Sequence, residues 1–125
     1  MYSIVLSFLL FSSLISIDSE QLTYPQARAV LMVAGWPPEH RHAALQVAAC
    51  ESSLMPNVTG DNRDSIGLFM IQWEPSTWRG WRHAPALAEL HDKDIQNPYH
   101  NARAALLIFR DHGWEPWTCQ PWGRR

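Results

Sequence analysis

Residues 43–72, AALQVAACESSLMPNVTGDNRDSIGLFMIQ, carry the reading on which the fold turns. Ala44, Val47, Ala48 and Glu51 fall at i, i+3, i+4 and i+7, so an amphipathic helix puts Glu51 at the end of its core-facing stripe. A carboxylate is seldom buried there without a partner. Apolar surroundings disfavour its ionised form and raise its pKa, which suits a general acid working near neutral pH. The plainer alternative is a Glu51 half-exposed at the helix end, or paired with Arg63 as a structural ion pair. After Glu51, residues 52–64 are rich in turn formers (Pro56-Asn57, Thr59-Gly60-Asp61-Asn62). They lead into the short apolar segment 65–73, which reads as a small β element.

Outward from that stretch, the flanks read as helices. Thr23 and Pro25 open the first, Ala27, Val30, Leu31 and Ala34 form its apolar face, and Gly35 closes it. Trp36-Pro37-Pro38 is a connector into the helix ending at Glu51, on which His40 and His42 point apart, as solvent-facing histidines do. Residues 75–82 and 85–90 read as short helices. Asn97 caps a further helix with Pro98 in its first turn, and Tyr99, Ala102, Ala105, Leu106 and Phe109 share one face before Gly113 ends it. The fold class expected is α+β, mainly α, with one small β-hairpin element after the Glu51 helix.

The chain of 125 residues suits one domain, and a net charge of -2 gives no electrostatic reason to expect nucleic acid. Residues 1–17 are apolar and uncharged up to Asp18, short for a membrane span and of the length of a secretory signal. We therefore expect residues 1–19 to be a signal peptide, or a signal anchor if uncleaved, and residues 20–125 to be the working domain. No Lys or Arg precedes the run, and no small-x-small cleavage site follows it. The expected location is secreted, extracellular or at the cell envelope, with membrane contact only if the segment is uncleaved. Cys50 and Cys119 agree with export: they read as one disulfide, or else as two separate reduced thiols. Neither has a second ligand at metal spacing, and no metal or other cofactor is expected.

Six of the seven Trp lie after Gln72. Each is explained by a core, but those beside turns and prolines (Trp73, Trp78, Trp81, Trp114, Trp117) also suit a cleft that stacks on sugar rings. No nucleophile elbow, phosphate loop or zinc helix is present. One semi-buried Glu, an Asp-bearing turn and a Trp-rich second half fit cleavage of a glycosidic bond, in which a neutral carboxyl protonates the leaving oxygen. Asp64 and Asp61 are the nearest candidates for a second carboxylate, although Asp also favours such turns for backbone reasons.

These residues carry a resemblance. Ala49-Cys50-Glu51-Ser52-Ser53, Pro56-Asn57, Gly60-Asp61 and Ser65-Ile66-Gly67-Leu68-Phe69 resemble the soluble lytic transglycosylase and goose-type lysozyme group, where a helix ends in an E-S pair before an S-x-G-L-[MF]-Q-I segment. Residues 97–105, NPYHNARAA, resemble that group's D/N-P-x-x-N-x-x-A-A helix, and 113–117, GWEPW, the G-[WF]-x-P-W ending of small phage and actinobacterial members. The resemblance covers residues 24–119. It implies a lysozyme-like fold and cleavage of the β-1,4 bond between N-acetylmuramic acid and N-acetylglucosamine in peptidoglycan glycan strands; a monomer is expected, although no motif speaks to oligomeric state. Glu51 matches the catalytic acid and Ser65 a substrate-contacting Ser, while Gly67 would let the β segment approach the sugar closely. Gln72, Tyr99, Asn101 and Trp117 are the remaining expected substrate contacts. Met70 stands where the group has Gln, and the A-Y-N-A-G motif is absent. A transglycosylase needs no protein nucleophile, whereas an inverting hydrolase needs a base roughly 6.5–9.5 Å from Glu51. The sequence leaves both open, along with a non-catalytic glycan-binding module on the same fold.

Overall fold

The structure is a computed structural model that describes residues 21–60, 65–72 and 95–124. The expected signal segment, the helices expected at 75–82 and 85–90, and Asp61, Arg63, Asp64, Trp73, Trp78 and Trp81 lie outside the described residues.

Helix α1 spans Tyr24–Ala34 and is capped as its sequence dictates. The Thr23 hydroxyl accepts from the Gln26 N–H while the Gln26 side chain accepts from the Thr23 N–H, a reciprocal capping box. Its buried residues are Ala27, Val30, Leu31 and Ala34, the face expected from spacing. Gly35 ends it at φ 98°, in the left-handed region that favours glycine. Helix α2 spans Pro38–Ser52 and buries Ala44, Leu45, Val47, Ala48 and Ser52. It stops because Ser53 and Leu54 both take positive φ, 55° and 61°, turning the chain so that Leu54 is buried and its carbonyl accepts from the Leu22 N–H.

Strands β1 (Ser65–Ile66) and β2 (Ile71–Gln72) form the expected hairpin, with Ser65 opposite Gln72. Its other edge is extended by Val58–Gly60, whose backbone bonds to Ser65 and Gly67 and bridges at Thr59 to Ile66. Helix α3 spans Pro98–His112; the Asn97 side chain caps it by accepting from the Tyr99 N–H, and Gly113 follows its end. Its buried surface is wider than one stripe and includes Asn101, Ala104 and Ile108, because α1 packs along it while the hairpin covers another side. Tyr99 and Phe109 are only partly buried at the margins.

A second hairpin, β3 (Cys119–Gln120) with β4 (Gly123–Arg124), lies beyond the sequence expectation. Its two-residue turn, Pro121-Trp122, is the signal that was there to read. The Cys50–Cys119 disulfide joins β3 to the last turn of α2, across a sequence separation of 69. The described chain is thus mainly helical with small antiparallel hairpins.

The connector Trp36 proves to be the centre of the core. It is wholly buried, its ring stacks on Phe69 (5.8 Å between centroids) and on Trp114 (5.7 Å), and its Nε1–H donates to the Ala102 carbonyl at 2.8 Å. His40, expected to face solvent, sets its ring edge-on against Phe109 at 5.0 Å. Among the described residues, no helix is long and apolar enough to cross a membrane.

Candidate functional site

Four parts of the chain wall an open groove of ≈ 410 Å³. Glu51 comes from the last turn of α2, and Ser65, Met70, Ile71 and Gln72 from the first hairpin. Ile108 and His112 come from the end of α3, and residues 115–118 (Glu115, Pro116, Trp117, Thr118) close the remaining side.

Glu51 is half-buried, as the end of an otherwise buried stripe must be. Its Oε2 accepts a hydrogen bond from the Cys119 N–H at 3.0 Å. The disulfide from the adjacent Cys50 holds that donor in place, so the carboxyl is aimed by the backbone of the far end of the chain. Burial pushes the Glu51 pKa above its ordinary value of 4.5, against the opposing pull of the Cys119 N–H and the positive charge of Arg124. The balance leaves a carboxyl protonated further up the pH scale than a surface glutamate, yet with a donor and a cation ready to stabilise its anion. That is the equipment of a proton donor facing a cleft.

Of the other residues expected at substrate, Ser65 and Gln72 face each other across the hairpin and both line the groove. Trp117 reaches it only in part. The residue is 4 % exposed, its Nε1–H donates to the Phe69 carbonyl at 2.9 Å, and its ring meets Phe69 and Trp114 edge-on. It is therefore a core residue with one edge at the groove, not an open stacking platform. Trp114 is likewise packed against Trp36 and Phe109.

Asn101, Gly67 and Tyr99 are placed elsewhere. Asn101 is fully buried, accepting from the Phe69 N–H at 2.7 Å and donating to the Ile66 and Ile95 carbonyls, each at 2.9 Å. Both its N–H donors and its carbonyl oxygen are engaged and the residue has no exposed surface, so its role is to clamp the hairpin onto α3 and not to meet a sugar. Gly67 is buried beneath it at φ 81°, and a Cβ there would lie 2.4 Å from Asn101 Nδ2. Glycine is required for the asparagine's close approach, not for a ligand's. Tyr99 stands outside the groove, partly buried against the core, where desolvation pushes its phenol up to about 12.

Sequence reasoning missed Met70, His112, Glu115 and Thr118 as groove residues. Glu115 sits inside the GWEPW motif, and its position between two tryptophans was the available signal. Among the described residues, no group of three or more His, Cys, Asp or Glu is arranged to hold a metal ion. No family model matches the chain, and neither a curated protein nor a solved structure matches it.

Proposed function

We propose that the protein is a peptidoglycan-cleaving muramidase, acting on the β-1,4 bond between N-acetylmuramic acid and N-acetylglucosamine with Glu51 as general acid. The observation that carries this reading is Glu51 itself: half-buried, raised in pKa by that burial, oriented by the Cys119 N–H, and facing a groove. The lysozyme-like fold belongs to the same proposal. Its support is the order helix, terminal glutamate, turn and glycine-bearing hairpin beside a cleft, together with the sequence resemblance.

Protonated Glu51 gives its proton to the bridging oxygen as the bond to the muramic acid C1 breaks. The resulting carboxylate is held by the Cys119 N–H and by Arg124. It then serves as base towards either the sugar's own 6-hydroxyl, giving an anhydro product, or a water. Ser65, Gln72 and Thr118 supply hydrogen-bonding groups along the groove for the hydroxyls and acetamido groups of the strand. The proposed partner is therefore a glycan strand, and no cofactor enters the chemistry.

The test is mass spectrometry of the muropeptides released from purified peptidoglycan by wild-type protein and by Glu51→Gln, which keeps the shape and removes the titrating proton. Release by the wild type alone, with a rate loss of about 10²-fold or more in the variant, is expected. No release by a folded, disulfide-bonded wild type refutes the enzyme and leaves a glycan-binding module.

A further inference from the structure

Glu51 is not alone in the groove, which a second carboxylate also lines. Glu115 lines the same groove on a turn anchored at every side. Before it, Trp114 stacks on Trp36 at 5.7 Å and packs on Phe109 at 4.5 Å. Beyond it, the buried Trp117 donates its Nε1–H to the Phe69 carbonyl and its backbone N–H to the Trp114 carbonyl at 3.1 Å. The buried Gln120 side chain closes the turn by donating to both the Trp114 and the Trp117 carbonyls, at 3.0 and 2.6 Å. Pro116 fixes its own φ and restricts the backbone of Glu115 before it. The exposed tip of this frame is therefore Glu115-Pro116, with the glutamate at a set place on the rim.

The frame also limits how far Glu115 stands from Glu51. Cys119, whose N–H touches the Glu51 carboxyl at 3.0 Å, lies four residues on. Four residues span at most about 14 Å fully extended, and this segment contains a closed turn. Both carboxyls thus line one groove, where an inverting reaction needs them roughly 6.5–9.5 Å apart, with room for a water between. One is half-buried and the other exposed, the unequal pair of environments that divides an acid role from a base role.

We propose that Glu115 is the general base of the reaction, which makes the protein an inverting hydrolase. This rests on the muramidase reading of Glu51. The Glu115 carboxylate takes a proton from a water whose oxygen bonds to C1. The C1–O4 bond breaks as Glu51 protonates the leaving oxygen, and the β bond yields an α product. Solvent then returns the proton from Glu115 to Glu51.

The experiment digests purified peptidoglycan in 18O-water and follows product anomers by NMR. The wild type is expected to release reducing ends that carry the label and form first as the α anomer. Glu115→Gln is expected to lose about 10²–10⁴-fold in hydrolysis while still binding peptidoglycan. Added azide, which needs no base, should restore turnover to Glu115→Ala and give an α-glycosyl azide, an effect that a purely structural role would not produce. Unlabelled anhydro ends as the sole wild-type product, or Glu115→Gln cleaving like the wild type, overturn the role of Glu115 while an inactive Glu51→Gln leaves the muramidase standing. Full activity in Glu51→Gln removes both.

Discussion

Replacing Gly67 by alanine tests the innermost contact of the fold. The added Cβ would sit 2.4 Å from Asn101 Nδ2, 3.0 Å from its Cγ and 3.1 Å from the Ile95 carbonyl oxygen. No side chain tolerates the first of these, so the amide must withdraw and give up its bonds to Phe69, Ile66 and Ile95. Buried groups left unmet cost about 1–3 kcal/mol each, and partial rearrangement brings the three together to about 3–4 kcal/mol. A left-handed φ of 81° adds about 1 kcal/mol for alanine. Gly67→Ala should therefore lose about 4–5 kcal/mol, and Asn101→Ala about 3–4, each a large share of the ~5–15 kcal/mol of an ordinary domain. In the double variant the clash has nothing to strike, so the total should be about 4–6 kcal/mol, well short of the sum. Urea unfolding of the four proteins with the disulfide intact measures the cycle. If the double variant falls within about 0.5 kcal/mol of the sum, the two positions are independent and the clamp is not what makes Gly67 necessary.

Three further outcomes follow from the same geometry. Because burial raises the Glu51 pKa, the folded state holds that proton more tightly than the unfolded chain, so the stability it contributes is complete below 4.5 and is lost as pH rises through the folded value. Stability of the wild type relative to Glu51→Gln should therefore decline from acid towards neutral pH, and a rising difference in thermal scans would contradict the assigned burial. Replacing both Cys50 and Cys119 by serine should cost about 4 kcal/mol in the chain-entropy account of a loop of about 70 residues, read by denaturant unfolding. Unchanged stability would mean that the tail is held without the bond. Trp36→Phe should cost about 1–3 kcal/mol for the lost bond to Ala102 and the reduced stack, and an unaffected melting curve would remove Trp36 from the centre of the core.

What the sequence made legible is what local rules govern. Spacing gave the buried face of α1, capping chemistry gave both ends of α3, and the apolar stripe put Glu51 at the edge of burial. The misplaced residues are those whose meaning depends on distant backbone. Asn101 meets Phe69 and Ile66 across 32 and 35 positions, and a polar residue used up inside the fold carries the same letter as one reserved for a ligand. Trp36 lies between a helix-ending glycine and two prolines, where periodicity has nothing to say, and its stacking partners lie on the hairpin and after α3. Glu115 shows its value only once the anchored turn and the groove are seen together.

Glu51 owes its aim to a donor that is 68 positions away along the chain. A polypeptide emerging amino end first therefore presents the glutamate long before anything can orient it. Until the segment through Cys119 has been made and docked, the groove lacks one wall and the carboxyl its fixed hydrogen bond. The arrangement is latent during synthesis and is completed last, in step with oxidation of the two thiols. A chain interrupted between Gly113 and Cys119 would carry every residue of the hairpin and of α3 and still leave the cleft unassembled.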